Sequence, residues 1–202
     1  AHDQNKFNNS NNVIFFEGSL AKVSLDETDE NIVLVAIGGR SKHYYFDEES
    51  ILNQIEYFLS LYPNKEYYVF NSRRTPKSMN NKLIKLAKIK EIIFCDYKNN
   101  DTSFESILHK ASAKLITRDS VNMIFESLSC KGNTYLVDMK IKNKMNKVVR
   151  TINNLIEQKK IGHIDQSDMV DGLSATKIYK QNVYNDVFAE VEKVAYKLNQ
   201  LI

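Results

Sequence analysis

From residue 31 onward, short runs rich in β-branched and aromatic residues alternate with amphipathic helical stretches. No other feature of the chain narrows its fold as much. Consecutive parallel strands need a crossover, and a helix is the usual one, so the alternation predicts a parallel sheet covered by helices. Residues 31–37 (NIVLVAI) are apolar at nearly every position, as a strand buried on both faces must be, and Gly38-Gly39 ends the run. A helix then opens at Asp47, with Ile51, Leu52, Ile55, Phe58 and Leu59 recurring at three- and four-residue steps until Pro63. The second unit is a strand over 66–71 (EYYVFN), the loop Ser72-Arg73-Arg74-Thr75, Pro76 near a helix start, and Leu83, Ile84 and Ala87 on one helix face. The third is 91–95 (EIIFC) and a helix over 103–113, where Thr102 and Glu105 fit a capping box. The fourth is 114–117 and a helix over 119–130 that stops at Gly132, and 133–138 (NTYLVD) makes a fifth strand.

Beyond Met139 the pattern becomes two long helices, 142–158 and 183–201, joined by KKIGHIDQSDMVDG, which reads as a linker or loop. Residues 13–16 (VIFF) read as one more strand, set apart by SLDETDEN. The expected organisation is a residual segment or linker over 1–30 from a preceding domain, followed by a Rossmann-like three-layer domain over 31–202 with two extra C-terminal helices. The chain starts at Ala1 with a polar stretch lacking any period, as the trimmed edge of a longer protein would.

Composition excludes several classes. Net charge is +3 in 202 residues, with Lys and Arg spread through the helices, so no electrostatic footprint for nucleic acid stands out. Cys95 and Cys130 show no metal-ligand spacing and read as small buried hydrophobes of a reducing, cytoplasmic compartment. No window approaches the roughly 18 apolar residues of a spanning helix, and AHDQNKFNNSNN is not a signal peptide. Among the histidines, His43 in the Gly-Gly loop is a ligand candidate, whereas His109 and His163 read as structural or solvated, and no cluster resembles a metal site.

In an open parallel sheet, ligands bind outside the carboxyl ends of the strands, so the loops there carry the candidate chemistry. In the first, Gly38 and Gly39 allow close approach of a ligand while Arg40 offsets negative charge, although a plain strand-to-helix turn uses the same residues. In the second, Ser72, Arg73, Arg74 and Thr75 put adjacent guanidiniums at a strand end, where an anion relieves their repulsion; a solvated basic turn is the competing reading. In the third, Thr117, Asp119 and Ser120 precede or open a helix whose amides favour a phosphate, and Glu126 two turns on can accept from two ribose hydroxyls. An N-cap and a solvated glutamate also explain that spacing, and on spacing alone they are the preferred reading, because helix caps are far commoner than nucleotide sites.

The succession HD…NVI, IGGRSKH, NSRRTP and ASAKLITRDSVNMIFESLSCKG resembles the family named for the plant mitochondrial-fission "elongated mitochondria" protein, with its bacterial relatives, over nearly the whole chain. The resemblance implies a GT-B-like architecture of two Rossmann-type domains facing across a cleft, with this chain similar to the carboxyl-terminal, nucleotide-sugar-binding half. Gly38, Gly39, Arg40, Ser72, Arg73, Arg74, Thr75, Thr117, Asp119, Ser120, Met123 and Glu126 then bind a nucleoside diphosphate sugar, a substrate and not a resident cofactor. Glu126 would hold the ribose, and helix N-termini near Ser120 the diphosphate. Chemistry of this type is metal-independent and stabilises the leaving diphosphate. The implied partner is the missing amino-terminal domain, which would supply the acceptor site. His2 and Asp3 would lie at its end. The resemblance leaves room for peripheral membrane association of the full-length protein, without an integral span. An epimerase reading finds no support, since GxGxxG and a Tyr-x-x-x-Lys in a suitable place are absent. The alternative is a non-catalytic interaction module, for which the stripe Val183, Val187, Val191, Val194 and Leu198 offers a surface.

Overall fold

The computed structural model describes residues 13–99, 101–170, 173–181 and 189–200. Its spine is β1 (Asp29–Ala36), whose last five residues are buried on both faces as the unbroken apolar run requires. The chain winds outward through α1 (Glu48–Ser60), β2 (Glu66–Phe70), α2 (Lys77–Lys90) and β3 (Ile93–Cys95). It then returns past β1 through α3 (Phe104–Lys110) to β4 (Ala111–Ile116), α4 (Val121–Leu128) and β5 (Asn133–Leu136). From there it runs through α5 (Lys147–Glu157), β6 (Gly162–Asp165), β7 (Met169–Val170), β8 (Leu173–Ser174), β9 (Lys177–Tyr179) and α6 (Glu190–Asn199). The sheet order is β3-β2-β1-β4-β5-β6-β9, parallel except for antiparallel β9, while β7 and β8 form a separate pair.

Two consequences place the site. The winding direction reverses between β1 and β4, and a crevice opens at such a switch point because the two following loops diverge to opposite faces. The registers are also level: Ala36 pairs with Phe70 and Ile116, Phe70 with Cys95, and Ile116 with Leu136. Ladder hydrogen bonds continue one residue past the strands, Ile37 N–H to Phe70 O at 2.8 Å and Thr117 N–H to Ala36 O at 3.2 Å. The loops after β1, β2 and β4 therefore leave the sheet at one height.

Local chemistry accounts for most boundaries. The Asp47 carboxylate caps α1, accepting from the N–H groups of Glu49 and Ser50 at 3.1 Å. Ile51, Ile55, Phe58 and Leu59 lie buried on the predicted face, which Gln54 joins by clamping Asp138: its Oε1 accepts from Asp138 N–H at 2.6 Å and its Nε2 donates to Asp138 O at 3.0 Å. Helix α5 buries Val149, Ile152 and Leu155, each contributing about 2 kcal/mol of apolar transfer.

Several expectations are corrected. The cap of α3 is Ser103, which accepts from Ser106 N–H at 3.3 Å, in place of the Thr102 capping box. On α2 the buried residues are Met79, Leu83 and Leu86, while Ile84 faces outward. Helix α3 ends at Lys110 and runs straight into β4, which starts three residues earlier than the apolar run indicates, because Ala111 and Ala113 are small enough to pack as strand residues. Residues 13–16 form no strand; their side chains line a groove with Val121 and Val148. The supposed linker contains β6, which pairs parallel to β5, and Gly162 is needed there because a Cβ would fall 2.5 Å from the Tyr135 ring. Helix α5 starts at Lys147 under an Asn146 cap, so residues 142–146 are loop. Of the expected 183–201 helix, residues 190–199 are helical, with none of them buried, and 182–188 lie outside the described residues, as do His2 and Asp3. Among the described residues no helix is long and apolar enough to cross a membrane, and no cluster of potential metal ligands occurs.

Candidate functional site

The three predicted loops meet at the carboxyl edge, and their own side chains lock them together. Gly38 N–H donates to Thr117 Oγ1 at 2.8 Å and Gly39 N–H to Asp119 Oδ2 at 2.9 Å. From the second loop, the Ser72 hydroxyl donates to Gly38 O at 2.8 Å and the Thr75 hydroxyl donates to the same carbonyl. Arg74 reaches across to Asp119 Oδ2 at 2.9 Å. Glycine at position 39 is dictated by contact, since a Cβ would fall 2.0 Å from the Arg74 carbonyl oxygen.

Asp119 is thus not a helix cap. Its carboxylate is buried and turned inward as the hub of the junction. Burial pushes its pKa up, against the hydrogen bonds from Thr117 and Gly39 and the charge of Arg74, which pull it down. Arg74 is therefore committed internally, whereas Arg73 and Arg40 are exposed and in no ion pair with a described residue. Ser120 sits at the N-cap of α4 with no side-chain cap hydrogen bond, leaving the first-turn amides of that helix open.

Buried polar atoms without partners concentrate behind the junction: His43 Nδ1, Tyr44 Oη, Arg118 Nε and Asp119 Oδ1. Burial raises the Tyr44 hydroxyl to about 12. Arg118 is held by Asp138 at 3.3 Å and by Ile164 O at 3.4 Å, both through Nη2.

Beside the junction, at the ends of β1 and β2, lies a cavity of about 420 Å³ lined by Ile37, Asn71, Tyr97, Phe104, Met123 and Glu126, among others. Met123 and Glu126 project into it from α4 one turn apart, and Tyr97 comes from the loop after β3. The Glu126 carboxylate accepts no hydrogen bond from a described residue, and burial, then the nearby Glu105, raises its pKa. The cavity thus combines apolar and aromatic walls with one unengaged carboxylate. The pattern of loops identified Glu126 and Met123; Asn71, Tyr97 and Phe104 carried no sequence signal, because only the β3-β2-β1 order brings their loops to this wall. Tyr44 is core, and exposed Tyr45 lies between Lys140 and Lys142, away from this cavity.

Both thiols are buried, and Cys130 has a basic neighbour in space, Lys114 Nζ at 3.2 Å from its sulfur. Burial raises the thiol pKa despite that neighbour.

Sheet order, level registers and the switch-point crevice define a Rossmann-like α/β protein. The family described as mitochondrial fission ELM1 matches residues 1–201, and the chain belongs to that family. No curated protein and no solved structure matches it.

Proposed function

We propose that the carboxyl edge of the sheet binds the nucleotide of a nucleoside diphosphate sugar, as the donor half of a GT-B-like glycosyltransferase. The observation that carries the reading is the cavity next to the uncapped N-terminus of α4, with Glu126 free on its wall. A base fits between Tyr97 and Phe104, an apolar slot with Asn71 as a polar contact. The ribose hydroxyls then donate to Glu126. The diphosphate lies over the first-turn amides of α4, where the helix dipole favours negative charge, with Arg73 as an uncommitted cation from the loop after β2. Arg74 is shared with Asp119, so its contribution is smaller, and Asp119 serves to hold Gly39 and Arg74 in place. In the transfer itself these amides and Arg73 stabilise the diphosphate as it leaves.

The test is calorimetric titration of the chain with UDP, GDP and CMP beside Arg73→Ala and Glu126→Ala. Losing a charged hydrogen-bond partner costs about 1.5–3 kcal/mol, so each variant is expected to bind roughly 10- to 100-fold more weakly. Binding should also weaken as pH falls through the raised pKa of Glu126, because the protonated carboxyl accepts poorly. Equal heats from all three proteins would refute the assignment.

A second reading, a fold retained to recruit a partner, draws on α6, an amphipathic helix with no buried residue. If it holds, deleting 189–200 abolishes self- or partner-association without unfolding the sheet.

A further inference from the structure

The two walls of the base slot are held in different ways. Phe104 packs edge-on against Phe70 of β2 with ring centroids 5.2 Å apart, and both join a buried apolar cluster with Ile107 and Leu108 of α3. Tyr97 is 45% exposed and stands in the turn after β3, where Asp96 Oδ1 accepts from Lys98 N–H at 2.9 Å and Asp96 O from Asn99 N–H at 3.2 Å. The Asn71 carboxamide fastens that turn to the sheet.

Asn71 follows β2 directly and is 7% exposed. Its Oδ1 accepts from Tyr97 N–H at 2.7 Å, and its Nδ2 donates to Asn80 Oδ1 of α2 at 3.1 Å. Those two bonds fix which way the carboxamide faces, because its oxygen accepts and its nitrogen donates. The residue's own N–H continues the ladder, donating to Cys95 O at 3.4 Å. Ser72 comes next and donates to Gly38 O at 2.8 Å, and Arg73 follows. Consecutive residues thus tether the base wall, anchor the loop after β1 and supply the phosphate cation. The span from slot to phosphate is set within one segment, and a shift of Tyr97 relative to Arg73 requires Asn71 to let go.

We propose that Asn71 is a positioning residue for nucleotide recognition: it holds Tyr97 where the base stacks, in step with Arg73, so that the site prefers a whole nucleoside diphosphate to bare pyrophosphate. This role rests on the nucleotide reading. Stacking of a base on an aromatic ring is worth on the order of tenfold in affinity, and a ring free to swing away loses most of that.

The test is calorimetric titration of the full chain with UDP and with inorganic pyrophosphate. The parent is expected to favour UDP by about tenfold or more. Asn71→Leu, similar in shape but without the acceptor, should weaken UDP binding by roughly tenfold and leave pyrophosphate binding unchanged. Asn71→Asp keeps an acceptor for Tyr97 N–H, and Asn80 can turn its amide to donate to it. The added charge should weaken both ligands alike and leave the preference intact. Asn80→Ala, at a half-buried position, should reduce the preference a few-fold. Tyr97→Ala should lose at least as much as Asn71→Leu, and combining the two should cost nothing more, because both act through one ring. Asn71 loses this role if Asn71→Leu or, where that variant does not fold, Asn80→Ala keeps the parent's preference. It also loses the role if Asn71→Leu weakens both ligands alike, or if its loss adds to that of Tyr97→Ala. A parent that binds pyrophosphate as tightly as UDP would overturn the nucleotide reading itself, and this role with it.

Discussion

Lys114→Met is expected to lower stability by about 3 kcal/mol and the melting temperature by roughly 6–12 °C for a chain of this size. Lys114 is fully buried in the middle of β4 and pairs with no carboxylate among the described residues. Its ammonium instead collects the carbonyls at the end of α4, donating to Ser127 O at 2.8 Å and Lys131 O at 2.7 Å, with Cys130 O and Sγ at 3.4 and 3.2 Å. A helix terminus buried without partners is costly, and this side chain stands in for solvent there, adding to the Ser129 N–H cap on Phe125 O and Glu126 O. Methionine fills nearly the same volume but removes the donor to Lys131 O and Cys130 O and leaves Ser127 O only the longer contacts from the Cys130 thiol and the Thr134 hydroxyl, and the loss comes from these carbonyls. Burial lowers the Lys114 pKa, so the native chain releases this proton before the unfolded chain does. Between the folded-state value and the ordinary lysine value the unfolded state binds more protons, and stability from this group rises with pH. The variant should lack that alkaline rise. Thermal unfolding of both proteins across neutral and alkaline pH measures both effects. An unchanged or raised melting temperature in Lys114→Met would mean that desolvating the ammonium outweighs its hydrogen bonds.

Gly39→Ala should be comparably damaging, at about 3 kcal/mol, and should also dismantle the three-loop junction. The added Cβ would lie 2.0 Å from Arg74 O and 2.2 Å from Arg74 C, both backbone atoms that cannot rotate away. The loop after β2 must therefore move, which breaks the Gly39–Asp119 and Arg74–Asp119 contacts together. Asp119 would then be a buried carboxylate with fewer partners, adding the cost of an under-satisfied charge. Gly38→Ala meets the Asp119 carboxylate itself, at 2.3 Å, a side chain that can turn at the expense of the same two bonds. Chemical denaturation of the two variants should give midpoints below the parent, with Gly39→Ala lower. A Gly39→Ala midpoint equal to the parent's would contradict the tight loop packing.

The parts of this molecule legible in its sequence are those governed by one rule at a time. The unbroken apolar run of β1, the period of α1 and its Asp47 cap follow from burial and capping alone, and the convergence of three loops follows from the parallel order. What escaped depends on pairs brought together across the sheet. Asp119 reads as a cap until Gly39 and Arg74 are seen to close on it. Lys114, in a run that scores as strand, shows nothing of the helix end it serves. Residues 162–165 (GHID) alternate buried and half-buried over only four positions, too few for a period, and are a strand because β5 and β9 offer edges on both sides. Tyr97 and Phe104 lie in a stretch without motif and meet Glu126 only through the order of the strands.

The most direct test of the central claim is the structure of this chain with UDP soaked into its crystals. The account predicts density in the cavity, with the base between Tyr97 and Phe104, the ribose on Glu126, and the phosphates over the first turn of α4 toward Arg73. A nucleotide bound elsewhere, or a cavity still empty at saturating UDP with Glu126 unengaged, would contradict it.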